Sequence, residues 1–167
     1  TAVIAGRTGI GLSQRAQAFV LDPRENPYNV VEPGKRPRAT LTPSLALKDG
    51  KPFLSFSLQG GDGQDQNLLQ MFLNIVEWDM NVQQAAEGPN SGSGQRHSSF
   101  GTHTYAPGRL TVHSSVPSEV VRQLESMGYT VRVQPRTSGP LTGIFFDWKN
   151  GTMWGGASNN GDDYGIA

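Results

Sequence analysis

Cysteine is absent from the 167 residues, which excludes a disulfide framework, a thiolate nucleophile and a cysteine-ligated metal. Charge of either sign is scarce and balanced, with 14 Lys+Arg against 14 Asp+Glu. That balance argues against the basic face of a nucleic-acid binder and the polybasic patch of a membrane-surface protein. No apolar run approaches the roughly 20 residues of a membrane-crossing helix, and no stretch has the charged-then-apolar layout of a secretory leader. What the chain has in quantity is backbone punctuation. Its 21 glycines and 11 prolines suit short strands and constrained loops better than a helix bundle, so the expected class is α+β in a single domain.

Residues 53–78 organise the rest. Phe53, Leu54, Phe56 and Leu58 make a short apolar run bounded by Asp49-Gly50 and Gly60-Gly61, the signature of a buried strand. Beyond the glycines, Leu68, Met71, Phe72, Ile75 and Val76 recur at helical spacing, which predicts a helix with one core face. A Gly-Gly pair at a strand-to-helix junction can aim backbone N–H groups at a negative oxygen. Its bland alternative is a tight turn, the commonest use of glycine.

The first dozen residues, with Gly6, Gly9 and Gly11, predict a strand, a turn and a second strand. Pro23, Pro27 and Pro33 forbid regular structure over residues 22–34, leaving a constrained loop. Lys35-Arg36-Pro37-Arg38 is the one basic cluster and is expected as a solvated turn. Asp49-Gly50 between two apolar runs signals a hairpin, which puts the Thr40 segment and Gly60-Gly61 at the same end of it. Asn81 and Gln84 form a capping box for a short helix stopped by Gly88-Pro89. Residues 90–108, rich in Ser, Gly and His, predict a long mobile surface loop. Pro117-Ser118-Glu119 opens a helix closed by Gly128, residues 129–133 alternate as a strand, and Asn150-Gly151 marks a second hairpin. The spacing of His97, His103 and His113 matches no recurrent zinc pattern. No metal and no cofactor is expected.

These residues resemble the small, C-terminal subunit of the γ-glutamyltransferase (glutathione hydrolase) family of N-terminal-nucleophile hydrolases. The resemblance runs from Thr8-Gly9-Ile10 and Phe19 through Pro33-Gly34-Lys35-Arg36-Pro37, Leu41-Thr42-Pro43 and Asp49-Gly50-Lys51-Pro52 to Gly60-Gly61. It continues through Leu69-Gln70, Leu73-Asn74, Met80-Asn81-Val82-Gln83 and Ala85-Ala86 to Gly155-Gly156-Ala157-Ser158. It implies the small-subunit portion of a four-layer αββα fold over residues 1–167. It also implies a large subunit of the same precursor as partner, and an N-terminal threonine that attacks γ-glutamyl or related acyl amides with its own α-amine as base. By the same resemblance Gly60 and Gly61 hold the oxyanion.

The nucleophile itself is not identified. In the family it precedes the Gly-Ile stretch by two strands and a turn, and Thr1 is too close to Gly9-Ile10 to fill that role, so the chain is expected to lack its nucleophile strand. Donor recognition departs as well. Arg15-Ala16-Gln17-Ala18-Phe19 replaces a Gln-Met-Asp-Asp-Phe-like stretch, with Ala18 where the amine-binding aspartate belongs, and Ala39-Thr40 replaces a Ser-Ser pair. These changes resemble the divergent branch that includes cephalosporin acylase-type enzymes. Arg15, with its rigid fork of donors, suits a carboxylate, so Arg15, Ala39 and Thr40 are the expected substrate-binding positions. The competing expectation is a non-catalytic fragment or relic that keeps the fold as a structural subunit. Localisation stays open between periplasm or cell exterior and cytoplasm. Half of a two-subunit fold is also expected to leave sheet edges and apolar faces uncovered.

Overall fold

A computed structural model describes residues 3–160. The chain forms two compact units, one of residues up to Thr40 together with His97–Thr104, the other of Leu41–Arg96 and the residues from Tyr105 onward.

The second unit holds the regular structure. β1 (Ser44–Lys48) and β2 (Lys51–Leu58) pair antiparallel across Asp49-Gly50. Both turn residues take positive φ, 52° and 75°, as a two-residue hairpin turn requires. β6 (Leu141–Asp147) lies along β2, and β7 (Thr152–Ala157) returns beside β6, giving an antiparallel sheet in the order β1-β2-β6-β7. α1 (Gln64–Val76) lays Leu68, Met71 and Ile75 on the core around Leu54, Leu58 and Leu141, and Phe72 stacks on Phe56. α2 (Val82–Glu87) begins at the predicted capping box, with both reciprocal bonds between Asn81 and Gln84 formed.

Two sheet glycines set how closely the helices approach. A Cβ on Gly143 would stand 2.6 Å from Met71 Cε, and one on Gly156 would stand 2.7 Å from the Val82 backbone. The small residues Ala85 and Ala86 are buried there too. Opposite the helix-covered face, Leu45, Ile144 and Met153 stand exposed, an apolar face left open among the described residues as expected.

A smaller sheet has the order β3-β4-β5. β3 (Ser91–Ser93) runs antiparallel to β4 (Arg109–His113), and α3 (Ser118–Ser126) crosses over to β5 (Thr130–Gln134), parallel to β4. Gly128, at φ 94°, ends α3. There the N–H of Tyr129 reaches the Leu124 carbonyl and that of Gly128 the Glu125 carbonyl, a Schellman closure.

β3 revises the expectation of a long loop over residues 90–108. Its Ser-Gly-Ser sequence has no strand propensity, but Gln66 and Gln70 of α1 pair its backbone. Gln70 accepts the Ser91 N–H at 2.8 Å and donates to the Ser91 carbonyl at 2.8 Å, and Gln66 accepts the Ser93 N–H at 2.8 Å. Side-chain amides thus take the place of a neighbouring strand.

The first unit is built from turns. The two strands expected in the first dozen residues reduce to a single bridge between Ile4 and Gly11. Gly6 and Gly9 bend the chain at positive φ, and Val3, Ile4, Ile10 and Leu12 stay exposed. Ser13 caps a 3-10 helix, Gln14–Ala18. The proline-bearing loop that follows is irregular as expected, tied by one bridge between Val20 and Val30.

Candidate functional site

The glycine junction belongs to the sheet unit. β2 ends at Leu58, the Gln59 N–H donates to the Pro140 carbonyl at 3.0 Å, and the chain then turns through Gly60 into a 3-10 turn, Gly61–Gly63, that leads straight into α1. Gly61 takes φ 55°, a left-handed conformation that a side chain would strain. Neither the Gly60 nor the Gly61 N–H finds an acceptor among the described residues. Unpaired backbone donors on a rigid turn are the elements of an oxyanion site.

The turn is held from three sides. The Gly63 N–H donates to the Gly60 carbonyl at 3.1 Å. Asn67 Nδ2 donates to the Gly63 carbonyl at 2.9 Å, and Thr42 Oγ1 donates to Gln64 Oε1 at 3.2 Å. Asn67 and Gln64 are both buried, and Asn67 Oδ1 has no partner among the described residues. Gly139 lies against the same turn, where an added Cβ would fall 1.8 Å from the Gln59 carbonyl oxygen. Only glycine fits at 139. Sequence reasoning missed it, because a lone glycine in Ser138-Gly139-Pro140 reads as an ordinary turn.

The other expected site residues belong to the first unit. Arg15, in the second position of the 3-10 helix, donates from Nη1 to Thr40 Oγ1 at 3.2 Å. The structure therefore brings together two of the expected substrate-binding positions, 25 residues apart. Thr40 is 8% exposed and Arg15 half-buried, whereas Ala39 faces outward. The Arg15 guanidinium lies over the Phe100 ring, 5.9 Å from its centroid, and no carboxylate pairs with it among the described residues. Ala18, at the place of the family's aspartate, is 1% exposed, and its carbonyl accepts from Asn29 Nδ2. Thr1 lies outside the described residues.

The basic cluster is not a plain solvated turn. Arg38 donates through Nε to Ser99 Oγ at 2.8 Å and through Nη2 to the His97 carbonyl at 3.0 Å. Lys35 stands 3.7 Å from Glu32, and Arg36 alone of the three is turned to solvent without a partner among the described residues.

The histidines are engaged locally. His103 Nδ1 lies 2.9 Å from the Ser98 carbonyl and 3.8 Å from Glu25, and His113 Nδ1 lies 2.7 Å from Ser115 Oγ. No group of three metal-ligating side chains occurs among the described residues.

A cavity of about 850 Å³ opens in the sheet unit, lined by Phe53, Phe72, Ile75, Met80, Phe145 and Trp154. It lies toward the Asp49-Gly50 end of β2, and neither Gly60 nor Gly61 lines it.

Known proteins resemble the chain over most of its length. The family model described as γ-glutamyltranspeptidase matches residues 1–167. A glutathione hydrolase-like proenzyme, YwrD, of Bacillus subtilis is 33% identical over 165 residues, which is 97% of this chain and 30% of that protein. The crystal structure of a cephalosporin acylase from Bacillus halodurans superposes with a TM-score of 0.76 at 26% identity, covering 93% of this chain and 27% of that one. A γ-glutamyltranspeptidase from Pseudomonas nitroreducens, complexed with L-DON, gives a TM-score of 0.75 at 20% identity, covering 99% of this chain and 85% of that one. The chain thus spans about a third or less of the curated relatives it matches.

Proposed function

The chain belongs to the γ-glutamyltranspeptidase family and carries its N-terminal-nucleophile hydrolase fold, and from that premise we propose that it is the small-subunit part of an amide-cleaving acyltransferase or hydrolase. Its relatives are named proenzymes and extend well beyond it, which supports a larger partner from the same precursor. The open apolar sheet face around Leu45, Ile144 and Met153 suits such a partner.

In the proposed reaction a threonine freed by self-cleavage attacks the acyl carbonyl, and its hydroxyl proton passes to its own α-amine. The tetrahedral oxyanion is held by the N–H groups of Gly60 and Gly61. The C–N bond then breaks as the leaving amine takes up the proton, and water or an acceptor amine resolves the ester. The observation that carries this reading is the pair of N–H donors, unpaired among the described residues, on a braced glycine turn. Donors of this kind contribute about 3 kcal/mol each to transition-state stabilisation.

Arg15 and Thr40 hold the distal carboxylate of the acyl donor in this account. An α-ammonium would meet a guanidinium instead of the aspartate replaced by Ala18, and like charges repel. The enzyme therefore prefers glutaryl-like amides over γ-glutamyl amides. The test is the ratio of kcat/KM for glutaryl and γ-glutamyl anilides with the full-length gene product. We expect glutaryl to be favoured and Arg15→Gln to lower its kcat/KM by about 10- to 100-fold, the usual effect of removing a charged hydrogen bond. A strong γ-glutamyl preference would contradict the assignment of Arg15.

A further inference from the structure

The segment 97–104, expected to be mobile, is instead tied into a turn by hydrogen bonds on either side of Phe100. The Phe100 N–H donates to Ser98 Oγ at 3.2 Å, and the same hydroxyl reaches the Phe100 carbonyl at 3.1 Å. The Ser98 N–H closes the turn on the Thr104 carbonyl at 2.9 Å, and the His103 N–H meets the Phe100 carbonyl at 3.3 Å. Arg38 fastens the turn at Ser99 Oγ and at the His97 carbonyl. Ser99 is 1% exposed. A Ser- and Gly-rich stretch has no intrinsic reason to order, so these bonds serve to hold something in place.

They also set the backbone from which the Phe100 ring reaches the Arg15 guanidinium. A guanidinium binds a carboxylate bidentately only when its plane and its in-plane rotation are both set. Thr40 Oγ1, 3.2 Å from Nη1, fixes the rotation. Phe100, 5.9 Å away at the ring centroid, fixes the plane. A cation over an aromatic face is attracted by the ring's quadrupole. One hydroxyl contact leaves further N–H groups of the fork unengaged among the described residues.

We propose that Phe100 is a positioning residue for acyl-donor specificity, presenting the Arg15 guanidinium edge-on to the carboxylate of the donor. This rests on the assignment of Arg15 to carboxylate binding. Phe100 touches no reacting atom and acts through Arg15, so it controls KM for carboxylate-bearing donors and not the chemical step.

The test uses the full-length enzyme, glutaryl anilide as donor and glutarate as competitive inhibitor. Phe100→Leu keeps the apolar bulk and removes the π face. It should raise KM for glutaryl anilide, and Ki for glutarate, by roughly three- to tenfold, the range for a partly exposed cation–π contact, with kcat within about twofold. Phe100→Tyr, which keeps the ring, should restore both constants. In an Arg15→Gln background, Phe100→Leu should change neither, because the two residues act as one unit.

If Arg15→Gln raises the glutarate Ki but Phe100→Leu does not, the role of Phe100 is wrong while carboxylate binding by Arg15 stands. An equal effect of Phe100→Leu with and without Arg15 would overturn it too, since the ring would then serve only to pack the turn. If Arg15→Gln leaves KM and Ki unchanged, the carboxylate assignment itself fails.

Discussion

The unit that carries Gly60 and Gly61 is built on an apolar core braced by a few buried amides, and the unit that carries Arg15 and Thr40 on side-chain hydrogen bonds with only Ala18 and Val20 as buried apolar residues among those described. In the first, Leu54, Met71 and Leu141 are nearly inaccessible to solvent and two sheet glycines let the helices close in. In the second, Arg15 holds Thr40, Arg38 holds Ser99 and the His97 carbonyl, and Asn29 holds the Ala18 carbonyl. The two constructions suit different tasks. An oxyanion site needs donors that do not move as charge develops, and a packed sheet-to-helix junction supplies that rigidity. Specificity for a donor can change by replacing one or two polar side chains on turns, without disturbing a core.

Substitutions in each unit should break this contrast if it is wrong. The largest effect is expected from Leu54→Ala, a fully buried core position. It should cost the assembled protein about 2–5 kcal/mol, read as a shift of the urea midpoint for global unfolding.

Arg38→Ala should act more locally. Loss of charged hydrogen bonds to Ser99 and the His97 carbonyl should cost roughly 1–3 kcal/mol. Hydrogen exchange should report it as lost protection over residues 97–104, with the amides of β2 and β6 unaffected. Equal loss of protection in both units would mean that they are not separately fastened.

The smallest effect concerns the β6–β7 turn. The Asn150 side-chain amide, foremost, holds the Asp147 carboxyl below the usual aspartate range; burial opposes it, and the Asn150 and Lys149 backbone N–H groups add lesser lowering effects. A depressed pKa contributes stability above the ordinary value that is lost as pH falls through the depressed one. Asp147→Asn should therefore lower the melting temperature slightly at neutral pH, with the difference from the parent vanishing under strongly acid conditions. A difference independent of pH would remove the charge from the account.

The same contrast separates the features that are legible in the sequence from those that are not. Hairpins at Asp49-Gly50 and Asn150-Gly151, the core stripe of α1, the capping box at Asn81 and the Gly128 stop are local codes, in which a few adjacent residues determine the geometry. β3 is not legible. Its pairing depends on Gln66 and Gln70, more than 20 residues away in sequence, and its own Ser-Gly-Ser carries no strand signal. For the same reason the order of residues 97–104 is hidden, since it depends on Arg38, 61 residues before Ser99. The candidate site divides in the same way. Gly60-Gly61 stands out by its position between a strand and a helix, and Arg15 and Thr40 by family resemblance. Gly139 and Phe100 carry no signal, because their importance lies in what they touch.

The most direct test of the central claim is an intact-mass measurement on the full-length gene product, before and after rapid quenching with glutaryl anilide. Two associated chains are expected, the smaller starting with threonine, with transient addition of one glutaryl group to that threonine. A single unprocessed chain, or a processed pair that gains no acyl group from glutaryl or γ-glutamyl amides, would contradict it and leave a structural subunit that keeps the fold without the chemistry.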